Sequence, residues 1–191
     1  MPKPHIGLRS LPVQVLPEIK LIGERIGIAR KRRKLTQSQV ARRTGVSRLS
    51  VIKLEMGQPT INIKKIMSIS IFFNLESEWE KFLDGEMTEN DNQILTRENK
   101  IQSLSLGLGK KIRRLREKKG LTLYNLAQAL YVSPVTVRKL ETKGDCSLGL
   151  FAGVLCCLGK FQNMNLLFDF KNDLIGQSLD YFHYQDRQKV R

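Results

Sequence analysis

Hydrophobic positions recur every three to four residues along most of this chain, which is the spacing of a helix with one buried face. The clearest case is Leu35 to Glu55, LTQSQVARRTGVSRLSVIKLE, where two short amphipathic segments meet at Gly45. Thr36 and Ser47 stand where helix N-caps are expected, and Gln39 would complete a capping box with Thr36. The pattern predicts a helix, a tight turn and a second helix with an exposed polar face.

The flanking segments extend this pair to five helices. A first helix is expected over 18–34, from the spacing of its isoleucines, with Arg30 in its last turns. Gly57 should end the third helix, since glycine is favoured just beyond a helix C-terminus. Asn62 should cap a fourth helix, and a short fifth helix is expected around Trp79.

The whole pattern occurs twice. Leu121 to Glu141, LTLYNLAQALYVSPVTVRKLE, follows the first segment at an offset of 86 residues. Twelve of the 35 positions from 23 to 57 are identical under this shift: Gly23/Gly109, Ile26/Ile112, Arg30/Arg116, Leu35/Leu121, Thr36/Thr122, Ala41/Ala127, Val46/Val132, Ser47/Ser133, Val51/Val137, Lys53/Lys139, Leu54/Leu140 and Glu55/Glu141. Beyond the third helix the offset is 85, where Asn62 matches Ser147. A fixed offset indicates duplication of one five-helix domain.

The repeat predicts five segments. They are an N-terminal arm over 1–17, a first domain over 18–84, an acidic linker over 85–105, a second, partly divergent domain over 106–170, and a C-terminal tail over 171–191. Prolines disfavour helix in the arm, where a short strand is an alternative to an unstructured terminus. The aromatic tail is expected to form a final helix that packs on the second domain or on a partner.

The charge distribution indicates which class of molecule the chain binds. The chain has 33 Lys and Arg against 18 Asp and Glu, a net charge of +15, which favours a polyanion such as nucleic acid or a membrane surface. Residues 20–55 carry a net +9 and 109–144 a net +8, whereas 75–100 carry a net −5. Positive charge concentrated on the two repeats favours two DNA-contacting units over a membrane-binding surface.

Other functional classes find no support in the residue pattern. No phosphate-binding loop, nucleophile elbow or paired-carboxylate site occurs, so no enzymatic activity and no cofactor are expected. The three cysteines and two histidines lack zinc-ligand spacing, so no metal is expected and the thiols should be buried in a reduced compartment. No signal peptide or apolar run of membrane-spanning length is present, which predicts a cytoplasmic, nucleoid-associated protein.

Both repeats resemble the Xre/Cro-like helix-turn-helix family, the fold of lambdoid phage repressors. The signature is an Arg in the first helix followed by L-T-Q-x-x-V-A-x-x-x-G-V-S-x-x-x-V-x-x-L-E-x-G. The first repeat matches throughout, whereas the second has Leu123 for Gln, Tyr131 for Gly, and Gly144 one place late. The resemblance covers roughly 20–83 and 106–170. It implies an all-α chain of two tandem five-helix, lambda-repressor-like helix-turn-helix domains.

The family reads bases from the first turn and a half of the helix that follows the turn. The resemblance therefore implies these base-contacting residues: Arg48, Leu49, Ser50 and Lys53 in the first repeat, and Val135, Thr136, Arg138 and Lys139 in the second. Core packing is the alternative for Leu49. The implied phosphate contacts are Gln37, Thr36, Arg32, Arg33, Arg42 and Arg43, with a solvated face as the alternative for the arginines. Arg30 with Glu55, and Arg116 with Glu141, are implied structural ion pairs.

The predicted function is a prokaryotic or phage-type transcription regulator, a repressor that acts by occupying double-stranded DNA at its operator. The alternative is a protein-interaction regulator, either an antitoxin-type autorepressor or an antiactivator, whose second repeat binds a protein partner. A weaker alternative is an architectural protein that bends DNA with little sequence preference. The other partners left open are a second copy of the chain, and a protein bound through the second domain or the C-terminal tail.

Overall fold

A computed structural model describes residues 15–83, 96–169, 171 and 173–189. This part of the chain is helical and contains no strand. The helices are α1 (Val15–Arg32), α2 (Gln37–Thr44), α3 (Arg48–Glu55), α4 (Ile63–Phe72), α5 (Ser77–Leu83), α6 (Arg97–Lys118), α7 (Leu123–Ala129), α8 (Pro134–Lys143), α9 (Leu148–Cys157) and α10 (Leu174–Lys189). A 3₁₀ helix, Phe161–Leu166, lies where the second repeat would have its fifth helix. The all-α fold with two tandem helical units is confirmed.

Local side-chain bonds set most helix starts where the sequence predicts them. The Thr36 side chain accepts a hydrogen bond from Gln39 N at 3.2 Å, and Gln39 Oε1 accepts one from Thr36 N at 2.7 Å, which completes the capping box. The side chains of Ser47 and Asn62 cap α3 and α4 by accepting hydrogen bonds from Ser50 N and Lys64 N. The second repeat keeps these caps. Thr122, Ser133 and Ser147 accept hydrogen bonds from backbone N–H groups at the starts of α7, α8 and α9.

Two predicted boundaries differ from the structure. Helix α1 begins at Val15, three residues before the predicted start, because Pro17 fits within the first helical turn. The prediction of a linker over 85–105 is wrong from Arg97 onward, since α6 begins there and buries Leu104. The rest of the linker, like the arm over 1–14 with its predicted strand, lies almost entirely outside the described residues.

The two repeats contact each other through matching atoms. Ile63 N donates to Cys146 O at 2.9 Å, and Leu148 N donates to Ile61 O at 2.7 Å. Under the 85-residue offset, Ile61 matches Cys146 and Ile63 matches Leu148. The two hydrogen bonds are therefore equivalent: replacing each residue of one bond by its counterpart in the other repeat gives the other bond. Such an exchange defines a local pseudo-two-fold axis, as in an isologous dimer. The axis passes near Asn62 and Ser147, which form an isolated antiparallel bridge.

A second pair of matching bonds extends this relation. The Arg25 guanidinium donates to Leu167 O at 2.8 Å, and the Lys111 ammonium donates to Phe82 O. Arg25 matches Lys111 under the 86-residue offset, and Phe82 matches Leu167 under the 85-residue offset. One chain therefore contains an intramolecular pseudo-dimer of its two repeats.

Aromatic side chains from both repeats share one core. The Trp79 ring lies 6.4 Å from the Phe151 ring and 5.9 Å from the Phe168 ring, between ring centroids. The Phe82 ring lies 5.6 Å from the Phe151 ring in an edge-on arrangement. All four side chains are buried. Because the interface is a continuous apolar core, the repeats are expected to fold as one unit.

The C-terminal tail forms α10, which packs on α1 of the first repeat. Asp173, just before α10, accepts hydrogen bonds from both terminal nitrogens of Arg33, at 2.7 and 3.1 Å. Asp180 pairs with Arg32 Nε at 2.8 Å. Burial raises the pKa of Asp173, but the Arg33 guanidinium and the Gly176 backbone N–H outweigh it and the net pKa lies below its usual range. The carboxylate therefore stays ionised at neutral pH.

The structure also locates the three cysteines. Cys146 is buried and Cys156 and Cys157 are partly buried, and all three are free thiols. Burial raises the pKa of the Cys146 thiol far above its usual range, so this thiol is protonated. No helix in the described part of the chain is long and apolar enough to cross a membrane.

Candidate nucleic-acid interface

The second helix of the first helix-turn-helix, α3, is held in place by its buried face. Val51 and Leu54 are each 1% exposed, and Gly45 makes the preceding turn with a φ of 71°, in the left-handed region that glycine adopts readily. The opposite face carries Arg48, Leu49 and Lys53, all exposed. Leu49 is 59% exposed, so the core-packing alternative for this side chain is wrong.

Ser50 does not belong to this exposed face. Its side chain is buried, and its hydroxyl accepts a hydrogen bond from the Lys65 ammonium at 2.9 Å and lies 2.9 Å from the Ser47 hydroxyl. The implied role of Ser50 in base contact is therefore corrected. The residue lies on the inward side of α3, where it joins that helix to α4.

An ion pair sets the position of α3 against α1. Arg30 Nε donates to Glu55 Oε1 at 2.6 Å and Arg30 Nη2 donates to Glu55 Oε2 at 2.9 Å, a bidentate geometry. Gln37 Nε2 also donates to Glu55 Oε2, at 3.0 Å. Burial raises the pKa of Glu55, but the bonds from Arg30 and Gln37 outweigh it, so the net pKa is lowered. The pair matches the structural role implied by the family.

An open concavity of about 430 Å³ lies beside this ion pair, at the N-terminus of α2. Its lining residues are Arg30, Lys34, Leu35, Thr36, Gln37, Ser38 and Arg48. Three features of the concavity suit an anion: cationic side chains, the hydroxyl groups of Thr36 and Ser38, and the N-terminus of a helix. These features are the chemistry that a DNA phosphate requires.

The basic residues of the first repeat divide into two groups. Arg42 and Arg43 are exposed in the last turn of α2, and neither side chain forms an ion pair with the described residues. Arg33 is 10% exposed and donates to Asp173, Ala29 O and Phe73 O. Arg32 pairs with Asp173 and Asp180. The predicted phosphate role of Arg32 and Arg33 is corrected, since Asp173 holds Arg33, and Asp173 and Asp180 hold Arg32.

The second repeat keeps the scaffold of this site. Arg116 Nε and Nη2 donate to the two oxygens of Glu141 at 2.6 and 3.0 Å, and both residues are buried. The hydrogen bonds that Arg116 donates to the Glu141 carboxylate raise the pKa of Arg116, and they outweigh burial, which lowers it. Ser133 caps α8 with Pro134 in the first turn, where its missing N–H costs nothing.

The exposed face of the second repeat differs in chemistry. Val135 is 72% exposed and Arg138 is exposed, whereas the Thr136 hydroxyl lies 2.9 Å from the Ser133 hydroxyl. The Lys139 ammonium lies 2.5 Å from Asp145 Oδ2. Of the four residues implied to contact bases here, two thus have their polar groups engaged within the chain.

The concavity also changes in the second repeat. Under the 86-residue offset, polar or cationic residues of the first repeat are replaced by residues without a charge: Lys34 by Gly120, Gln37 by Leu123, Ser38 by Tyr124, Arg42 by Gln128, Arg43 by Ala129 and Arg48 by Pro134. Lys31 is replaced by an acid, Glu117, which pairs with Arg113 at 2.8 Å. The second repeat thus retains the helix-turn-helix backbone and loses most of the cations on its exposed face.

Sequence reasoning missed two long-range contacts near these surfaces. Asn62 and Asp145 join the repeats, with Asn62 Nδ2 donating to Asp145 Oδ1 at 2.6 Å. Arg97, at the start of α6, donates to Arg43 O at 2.5 Å and brings a further cation beside the end of α2. The chain offers no local signal for these contacts, because the partners are 83 and 54 residues apart.

An exposed basic helix that follows a tight turn, on a scaffold of short packed helices, defines a DNA-binding helix-turn-helix regulator. The helix-turn-helix family model matches the chain twice, over residues 26–79 and 112–146. The two matched regions are tandem copies of an Xre/Cro-like helix-turn-helix domain. No curated protein and no solved structure matches the chain.

Proposed function

We propose that this protein is a sequence-specific transcriptional repressor that occupies a double-stranded DNA operator and reads it chiefly through its first repeat. One observation carries the proposal. The cations Arg42, Arg43, Arg48 and Lys53 are exposed on α2 and α3, and none forms an ion pair with the described residues. A repressor that acts by occupancy needs only such a surface, held rigidly enough to exclude other proteins from the site.

Each residue on this surface has a distinct role in the proposal. Arg48 would donate to guanine O6 and N7, Lys53 to a second base, and Leu49 would contact a thymine methyl group. Arg42, Arg43 and the α2 concavity with Thr36 and Gln37 would contact phosphates, which position the helix without reading sequence. Gln37 must share its amide between Glu55 and such a phosphate.

The pseudo-two-fold axis favours inverted half-sites for any DNA that contacts both repeats. Helices α3 and α8 occupy matching positions about this axis, as the reading helices of a symmetric dimer do. Half-sites read in this way lie about 34 Å apart on one face of the duplex. Because the two exposed faces differ in sequence, the two half-sites would differ as well.

A second candidate function has support in the second repeat. Tyr124, Tyr131 and Val135 are exposed on the face that matches the DNA-contacting face of the first repeat. Tyr124 replaces Ser38 and Tyr131 replaces Gly45, whereas Val135 stands where the first repeat has Leu49. An apolar face of this kind suits a protein partner better than DNA. In this candidate the first repeat binds DNA while the second captures a protein, as in an antitoxin-type autorepressor or an antiactivator.

The experiment that separates these functions is selection of bound duplexes from a random DNA pool with the full chain. Separate repeats are unsuitable, because Trp79 and Phe151 belong to one core. Arg48→Ala should cost about 1–3 kcal/mol on the preferred site and relax preference at one base pair. Gln37→Ala should weaken binding equally on all sequences. Arg138→Ala removes an exposed cation from α8 and is the variant that probes the second repeat.

The outcomes are distinct. A motif with two parts, one altered by Arg48→Ala and the other by Arg138→Ala, would mean that both repeats read DNA. A motif altered only by Arg48→Ala would favour the protein-binding candidate for the second repeat. Tight, salt-sensitive binding with no enriched motif would refute a sequence-specific repressor and favour an architectural protein.

A further inference from the structure

We infer that Asp145 is a specificity-determining residue, which holds Lys139 at the junction between the repeats and so removes a cation from the second DNA-facing surface. The inference rests on the proposed function, since it concerns how the same protein distributes its contacts over DNA. It explains why the two matching lysines, Lys53 and Lys139, are not equivalent.

The two lysines hold the same position on their reading helices under the 86-residue offset. Lys53 has no carboxylate within ion-pair distance among the described residues. Lys139 has one, because Asp145 Oδ2 lies 2.5 Å from its ammonium. The residue that matches Asp145 under the 85-residue offset is Thr60, which carries no charge. The acid is therefore specific to the second repeat.

Asp145 is itself held in place from the first repeat. Asn62 Nδ2 donates to Asp145 Oδ1 at 2.6 Å, and Asn62 caps α4 at the pseudo-two-fold axis. The Asp145 side chain is 23% exposed, whereas Lys139 is 56% exposed. The carboxylate is thus anchored, and the flexible lysine is the member of the pair that adapts to it.

The electrostatic effect does not require the pair to stay intact on DNA. If the Lys139 ammonium stays on Asp145, it donates nothing to a base or a phosphate. If it moves to DNA, it leaves an anchored carboxylate close to the phosphates, which repels them. In both cases the summed charge of Lys139 and Asp145 is zero, whereas Lys53 contributes a full positive charge.

The test is Asp145→Asn in the full chain, because asparagine keeps an oxygen for Asn62 and loses the charge. DNA affinity should rise roughly fivefold to tenfold at about 0.1 M salt, and the slope of log affinity against log salt should steepen by about 0.9, the value for one phosphate neutralised. Duplex selection should show a new base preference in the second half-site. Adding Lys139→Ala should abolish that preference and the gain in slope.

The matched controls are Lys53→Ala and Lys139→Ala in the otherwise unchanged chain. Lys53→Ala should relax preference at one base pair, and Lys139→Ala should leave every base preference as it was. The inference is refuted if Asp145→Asn, folded by circular dichroism, leaves affinity, slope and preference unchanged. It is also refuted if Lys139→Ala alone relaxes a preference. If the unmodified protein selects no DNA sequence, the proposed function itself is refuted. If it selects a sequence but Asp145→Asn changes nothing, only the inference is refuted, so the two failures are distinguishable.

Discussion

The turn between the two helices of each motif has the same backbone in both repeats but different residues. Gly45 has a φ of 71° and its counterpart Tyr131 has a φ of 53°. A residue with a β-carbon in this left-handed region loses roughly 1–2 kcal/mol relative to glycine. The Tyr131 side chain is 74% exposed, so burial of its ring does not offset that cost. The packed helices on either side hold the strained residue in place.

Replacing Tyr131 with glycine should therefore stabilise the protein. Relief of the left-handed strain exceeds the greater chain entropy that glycine gives the unfolded state, so the free energy of unfolding should rise by about 0.5–1 kcal/mol. Chemical denaturation measures this change. The matched control, Gly45→Ala, should lower the free energy of unfolding by about 1 kcal/mol, although no atom lies within 4 Å of its added methyl group. A loss of stability in Tyr131→Gly would contradict the strain argument.

At the scale of elements, two matching glycines allow the first and third helices of each repeat to approach closely. A β-carbon on Gly23 would lie 2.2 Å from Leu54 O, and one on Gly109 would lie 2.5 Å from Glu141 O. These distances are shorter than any normal contact, and the clashing atoms belong to backbone that cannot turn aside. The close approach is what brings Arg30 within reach of Glu55.

Gly23→Ala should accordingly destabilise the protein, whereas Gly27→Ala should not. Both positions are buried in α1, but a β-carbon on Gly27 would meet only the Glu55 side chain, at 3.6 Å. We expect Gly23→Ala to lower the free energy of unfolding by about 1–3 kcal/mol through overpacking. Gly27→Ala should raise it by about 0.5–1 kcal/mol through helix propensity. Equal effects of the two substitutions in a thermal-unfolding comparison would contradict the close approach.

At the scale of the whole molecule, the two repeats share one apolar core and present two exposed helix-turn-helix faces of unequal charge. Trp79 of the first repeat lies against Phe151 and Phe168 of the second, and α10 returns from the second repeat to α1. This arrangement buries aromatic side chains of both repeats against each other within one chain. One chain could then occupy a site of two half-sites without a second copy.

Phe151→Ala tests this shared core. Removal of a buried phenyl ring should lower the free energy of unfolding by about 3–5 kcal/mol. Trp79 is the single tryptophan of the chain, so its fluorescence reports on the first repeat while circular dichroism reports on all helices. The unfolding transitions followed by Trp79 fluorescence and by circular dichroism should shift together to lower denaturant concentration. Val135→Ala, at an exposed position of the second repeat, should leave both within about 0.5 kcal/mol.

Separate transitions after Phe151→Ala, with Trp79 fluorescence unchanged while helices are lost, would show that the repeats unfold independently. That result would restore truncation as a valid way to assign DNA binding to one repeat. Coincident transitions would leave point substitutions in the full chain as the proper method.

Sequence reasoning predicted the local structure well, for a physical reason. The helices, their caps and the glycine turn depend on the spacing of apolar residues and on bonds between residues three positions apart, such as Thr36 with Gln39. The exposed face of α3 followed from the same spacing, which left Leu49 outside the buried stripe. The inward position of Ser50 did not follow from the spacing, because the Lys65 ammonium that donates to its hydroxyl belongs to another helix.

The sequence by itself determined that this protein has two copies of one helical unit, where most of the helices begin, and which helix of each unit faces outward. These features arise from interactions within a few residues, so they can be read along the chain. Only the tertiary structure decided which cations remain available to DNA. Arg33 is held by Asp173, 140 residues away, and Asp145, which holds Lys139, is anchored by Asn62, 83 residues away. Charge can be counted in a sequence, but its neutralisation depends on partners that only folding brings together.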